Sequence, residues 1–234
     1  MRYELSFMPE PFQGYTEFDE LAVFDTEQAG LQGEIEQETR FSFAACTDAQ
    51  KREIQAAFNT ALRSVNNAAA VLGTLYGRPD SITPTTRYLL NRHFHTTDRG
   101  DVLKIFRTMF RIRQALEEKV KFKCETNCKG GTGGGWCGYA QATQWFGGLG
   151  GIHICFDNRL GHCSFSTLIA GNPAANAQAQ AAIIIHEAAH RYVGIDDKAY
   201  LWERTPPNPR DYTTLTPTQA MDNADSYAWF CMML

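Results

Sequence analysis

No stretch of this chain approaches the roughly 20 consecutive apolar residues that a membrane-spanning helix needs, so no membrane span is expected. The start, "MRYELSFMPEPFQ", has no basic segment followed by an apolar one, so no secretory signal is read there. An excess of positive charge is also missing. Lys and Arg number 22 against 26 Asp and Glu, a formal net charge of −4, which disfavours general nucleic-acid binding. The glycines of "GGTGGG" suggest a phosphate loop, but no Gly-Lys-Ser/Thr follows and no helix opens there, so the stretch reads as a hairpin tip. No internal repeat is present.

What remains is ordinary globular composition, 44% hydrophobic and 21% charged over 234 residues, enough for one domain with a sizeable core. Charge divides the chain in two. Residues 1–40 hold ten acids against Arg2 and Arg40, a net −8, leaving +4 for residues 41–234. We read 1–40 as an acidic extension, either a solvated arm or a cover over the mildly basic body. Six of the seven cysteines (Cys124, Cys128, Cys137, Cys155, Cys163 and Cys231) lie in the second half. Their number suits an oxidising destination, and the odd count leaves one free or all reduced. With no signal read at the start, secretion would use a lost leader or a non-classical machine.

Four helices are expected. One opens at Thr47, a good N-cap, and carries apolar residues at Ile54, Ala57, Phe58, Ala61, Leu62 and Val65. A second covers "RGDVLKIFRTMFRIRQALEE" and runs into a short strand at "KVKFKC". "GIHICF" alternates as a strand, with Ile152 and Ile154 on one face and His153 and Cys155 on the other. The third helix starts at Asn172–Pro173 and stops at Gly194, and the last runs from Thr216 to the end. His93 and His95 in "NRHFHTTD" read as loop or surface residues. The tryptophans (Trp136, Trp145, Trp202 and Trp229) read as core and groove wall.

The third helix contains "HEAAH". His186 and His190, four apart, stack on one helical face, their Cβ atoms roughly 5–6 Å apart, a bite that one zinc ion accepts. Glu187 stands where it reaches a water on the metal rather than the metal itself. A catalytic zinc needs a third protein ligand, and Asp196, Asp197 and Glu203 follow. Gly194 stops the helix, so the chain can turn back beneath the metal. Spacing alone leaves the choice among these acids open.

At this point the sequence resembles the aspzincin metalloendopeptidases, the deuterolysin-like and peptidyl-lysine enzymes. "HEAAH" followed by "GIDDKAY" is similar to their zinc motif and Gly-Thr-x-Asp-x-x-Tyr segment, with Ile195 in place of the threonine. The resemblance extends to "NADSYAWF", to "CGYAQAT" with "GGIHICFDNRL", and to "FAACTDAQKREIQAAFNTAL", covering residues 41–234. It implies an α+β, zincin-like fold with a helical first half, a small antiparallel sheet and an active-site helix. It also implies Asp197 as third ligand to one zinc ion, and Tyr200 as a catalytic hydroxyl beside Glu187. Asp225 aligns with the first acid that receives a substrate lysine, whereas the second acid's place holds Ala228. Disulfides suit the family, and Cys137 with Cys155 is the expected pair.

The expected activity is therefore zinc-dependent cleavage of a protein or peptide substrate by a secreted enzyme, as a bacterial toxin or effector. The substrate would lie along Ile152, His153 and Ile154 by strand pairing. The competing readings are a zinc amidase acting on cell-wall peptide and a non-catalytic binding module. Intact Glu187 and Tyr200 argue against the module. Oligomeric state is not readable from the sequence.

Overall fold

The computed structural model describes residues 41–118, 120–126, 138–140, 151–157, 164–169, 171–201 and 211–234. The acidic extension, the "GGTGGG" stretch, Cys128, Cys137, Cys163, Trp136, Trp145, Trp202 and Glu203 lie outside the described residues.

A short strand, β1 (Phe41–Ala44), precedes the 30-residue helix α1 (Asp48–Gly77). Thr47 caps α1 as expected: its hydroxyl accepts from Gln50 N, and the Gln50 side chain accepts from Thr47 N, a capping box. The helix buries one face, including Phe58, Val65 and Leu72, against α3 (Arg99–Glu117), α4 (Pro173–Ala188) and α6 (Ala224–Met233). Each fully buried Leu, Val or Phe side chain contributes about 1.5–3 kcal/mol.

Between α1 and α3 lies a helix the sequence reading lacked, α2 (Pro84–Phe94), opened by Thr83 accepting from Thr86 N, with Pro84 at its first position. This corrects the reading of His93. The residue is 0% exposed and packs on α6 through Phe230, while its neighbour Phe94 packs on Tyr227. Thr83–Pro84 and the apolar Leu89, Leu90 and Phe94 carry the signal for α2.

The sheet has strand order β1-β2-β4-β3, with β2 at Val120–Glu125, β3 at Gly138–Ala140 and β4 at Ile152–Cys155. The expected antiparallel sheet is corrected. β1 with β2 and β2 with β4 are parallel, and only the β3–β4 pair is antiparallel. The helices α1, α2 and α3 return the chain to the same end of the sheet before β2, a crossover that enforces parallel pairing. β4 is therefore an interior strand, paired on both sides.

Cys46 and Cys124 form a disulfide that staples the segment after β1 to β2. Cys155 is also disulfide-bonded, and its expected partner Cys137 lies outside the described residues. Among the described residues Cys231 is free and buried. The expected C-terminal helix is broken in two: α5 (Pro217–Met221) ends at Asp222, and α6 starts after Asn223. Among the described residues no helix is long and apolar enough to cross a membrane.

Candidate metal centre

α4 begins as the sequence predicts, with Asn172 accepting from Ala175 N and Pro173 in the first turn. Ala181, Ile184, Ile185 and Ala188 are fully buried and fix the helix in the core. That packing sets the direction of the residues on its last turn, His186 and Glu187. The helix then widens into a π-turn, Ala189–Val193, which carries His190. Single π-turns inside helices are frequent at functional sites. Gly194, at φ 77°, closes the turn in the left-handed region that glycine adopts at little cost, donating its N–H to His190 O. The chain then reverses, and Asp197 comes back under both imidazoles.

His186 and His190 stand with ring centroids 4.6 Å apart and planes at 79°. Each Nδ1 is engaged. His186 Nδ1 lies 2.8 Å from Asp225 Oδ1, and His190 Nδ1 lies 2.6 Å from the Ile195 carbonyl. Carbonyl and carboxylate oxygens only accept, so both Nδ1 atoms carry the proton, and in the neutral imidazoles, the form that binds a metal, both Nε2 atoms present lone pairs. Those two Nε2 atoms are 2.9 Å apart, and Asp197 Oδ1 lies 3.3 Å and 3.1 Å from them. Asp197 Oδ1 is buried and has no directed hydrogen bond despite these short distances. In that neutral form three acceptors converge, an arrangement that a cation stabilises. The spacing fits the edge of a tetrahedron, about 3.3 Å for donor atoms 2.0–2.1 Å from zinc. Among the described residues this is the group of histidines and acids that could hold a metal ion.

Without the ion, the carboxylate and the rings polarise each other. Burial works against charge on all three groups. For His186, the carboxylates of Asp197 and Asp225 outweigh burial and raise the imidazole well above its usual range. His190 is raised by Asp197 in the same way. Asp197 is held below the usual carboxylate range by the two imidazoles. Asp196, the rejected candidate, is 68% exposed and paired with Lys198 at 2.6 Å.

Glu187 is 6% exposed and next to His186. Strand β3 passes directly over it. A Cβ built on Gly138 would lie 2.8 Å from Ile183 Cγ2 and 3.4 Å from Glu187 Oε1, so only glycine lets β3 approach this closely. Tyr200 stacks on His186, centroids 5.7 Å apart, and donates its hydroxyl to Asp197 Oδ2 at 2.7 Å. Burial, reinforced by the Asp197 charge, pushes the Tyr200 phenol up, so it stays protonated and able to donate.

Comparison with known proteins gives the family and the fold. The model of the aspzincin M35 family, described as lysine-specific metallo-endopeptidase, matches residues 81–232, more than half of the chain. The chain belongs to the aspzincin family. It is therefore a zinc metalloendopeptidase, a hydrolase. A zinc peptidase from Grifola frondosa has a similar fold, with a TM-score of 0.55 at 17% identity over 80% of this chain and 96% of that one. No curated protein sequence matches significantly.

Of the sequence-predicted residues, His186, His190 and Asp197 converge, Tyr200 joins them through Asp197, and Glu187 adjoins His186. The expected substrate residues on β4 do not join them. Ile152 and Ile154 are 0% exposed in the core, and His153 points Nδ1 at Glu125 Oε1, 2.7 Å away. With β4 paired on both sides, no substrate can add to it. Among the described strands, β3 is the one over Glu187 with a side unpaired. Asp225 turns one oxygen to His186 Nδ1 and accepts Leu201 N–H at 2.7 Å on the other. It thus forms a carboxylate–histidine pair behind the metal position, the arrangement that fixes tautomer and ring orientation in zinc sites. The sequence reading missed this role and that of the Ile195 carbonyl. For Asp225, the only signal was an acid at the start of an apolar helix.

Proposed function

We propose that the chain hydrolyses peptide bonds at a single zinc ion held by His186, His190 and Asp197, with Glu187 as general base. The observation that carries this is the convergence of two bare Nε2 atoms and one carboxylate oxygen beside a buried glutamate. Bound there, zinc would supply Lewis acidity toward water and the peptide carbonyl. Glu187 takes the proton of the attacking water and returns it to the leaving amine. Tyr200, protonated and 2.7 Å from Asp197, turns its hydroxyl to the oxygen that gains charge. The substrate lies extended beside β3, whose closeness to Glu187 brings a paired peptide to the base.

Lysine preference, which the family's description carries, has one acid to rest on here. Both Asp225 oxygens are engaged, and Ala228, in the second acid's place, is 0% exposed. We therefore propose an endopeptidase whose cut sites are not confined to lysine, and sequencing of its products checks this. Lysine after every scissile bond would restore the stricter specificity. The Cys46–Cys124 disulfide supports action outside the reducing cytosol, as a secreted toxin or effector. A casein digest with and without chelator tests the activity itself. Chelator-sensitive cleavage is expected, and release of cell-wall peptide without proteolysis would favour the amidase reading.

A further inference from the structure

We infer that Asn223 is a positioning residue: it is the template on which the loop carrying Asp197 and Tyr200 is folded, and it thereby sets how tightly the metal is held. The inference rests on the zinc-site reading and concerns a residue that touches neither metal nor substrate.

Residues 195–201 form neither helix nor strand of their own, so their backbone N–H groups need partners elsewhere. Two of them point at one atom. Lys198 N and Ala199 N donate to Asn223 Oδ1 at 2.8 Å and 3.1 Å. On the other side of Asp197, Ala224 N donates to Asp196 O at 3.0 Å, and Asp196 and Asn223 form a parallel bridge. The ligand is therefore tied through its peptide neighbours on both sides, and both ties end at residues 223 and 224. Leu201 N, just beyond Tyr200, goes to Asp225.

Asn223 is an unusual N-cap. Asparagine at that position ordinarily caps its own helix with its side chain. Here no such bond is made, although Asn223 has the extended backbone of a cap, φ −131° and ψ 117°. Its side chain is diverted to the loop, and its amide is kept from flipping by Nδ2 donating to Ser226 Oγ at 3.1 Å. The residue is 0% exposed, so water cannot replace it. The task needs an acceptor for two N–H groups and a donor for a hydroxyl, which asparagine combines. The break between α5 and α6 thereby acquires a purpose: a continuous helix would use the Ala224 N–H internally and leave the Asp196 carbonyl without its partner. The Lys198 pairs to Asp196 and Asp222 flank the same junction, but both carboxylates are half exposed or more and the pairs contribute little.

The test strips zinc from the full chain and measures its return against a competing chelator, in wild type, Asn223→Ala, Asn223→Asp and Asp197→Ala. Asn223→Ala is expected to bind zinc about 10–100-fold more weakly. Asn223→Asp, which keeps the acceptor, should recover most of that loss. With cobalt in place of zinc, the Asn223→Ala absorption spectrum should shift toward that of Asp197→Ala, a change that lost stability alone does not produce. Amide exchange in the wild-type protein covers the case of a variant that fails to fold: the Lys198 and Ala199 amides should be protected with and without zinc. Zinc affinity within threefold of wild type together with an unchanged cobalt spectrum in Asn223→Ala would overturn the inference. So would free exchange of those two amides in the stripped wild type. A wild type that takes up no zinc would instead overturn the site reading itself.

Discussion

Two histidines are buried against the same helix, α6, and the environment makes opposite things of them. His93, on α2, is 0% exposed and sits between Phe230 and Tyr212, with its Nδ1 2.7 Å from the Tyr212 hydroxyl. Burial, helped by the charges of Arg92 and His95, pushes it down to about 3. His186, on α4, is 8% exposed, but Asp197 and Asp225 face its two nitrogens, and it is raised. Burial is common to both. The carboxylates alone decide which imidazole serves a cation and which serves as a neutral strut. A buried histidine is thus no sign of a site until its partners are known.

The largest effect expected at the acidic site is on catalysis. Glu187→Gln should lower kcat by about 10²–10⁴-fold while zinc content, measured by atomic absorption, stays at the wild-type level. At the apolar site the matching effect is on stability. The unfolded chain takes up a proton near pH 6.5 that folded His93 refuses until about pH 3, so stability is lost as pH falls through that window. Folding should lose roughly 5 kcal/mol from this residue across the window. Asn in its place should flatten that loss in urea unfolding measured at pH 7 and pH 4. An unchanged slope would remove the contrast between the two histidines.

Smaller effects sharpen the contrast. Tyr200→Phe should cost about 10²–10³-fold in kcat, the usual cost of one lost donor to a developing oxyanion, and about tenfold in zinc affinity, because the hydroxyl also donates to the ligand Asp197. Asp225→Asn keeps the shape behind His186 but removes the charge, and should weaken zinc binding about 10–100-fold in a chelator competition. No equivalent loss is expected from Tyr212→Phe, which removes the polar partner of His93.

The same contrast explains what could be read before the structure. His186, Glu187 and His190 are legible because helical spacing is local, and Gly194 announces the reversal that delivers an acid. The helices α1, α3 and α4 follow from caps and apolar period for the same reason. Asp225, the Ile195 carbonyl and Asn223 were not legible in these roles, since each depends on where a distant segment lands. β4 as an interior strand was hidden too. Alternation in the sequence shows a strand, while β2 lies at its side only because the helices have brought the chain round. His93 was misread because α2 is short, and its start, Thr83–Pro84, stands directly after a turn.

The most direct measurement is zinc stoichiometry and affinity of the purified chain beside Asp197→Ala. One tightly held zinc per wild-type chain is predicted, with affinity falling more than about 10²-fold when the carboxylate is removed, since the site then has two protein ligands where a catalytic zinc uses three. A wild-type chain that binds no zinc, or an Asp197→Ala chain that holds it equally well, would contradict the site.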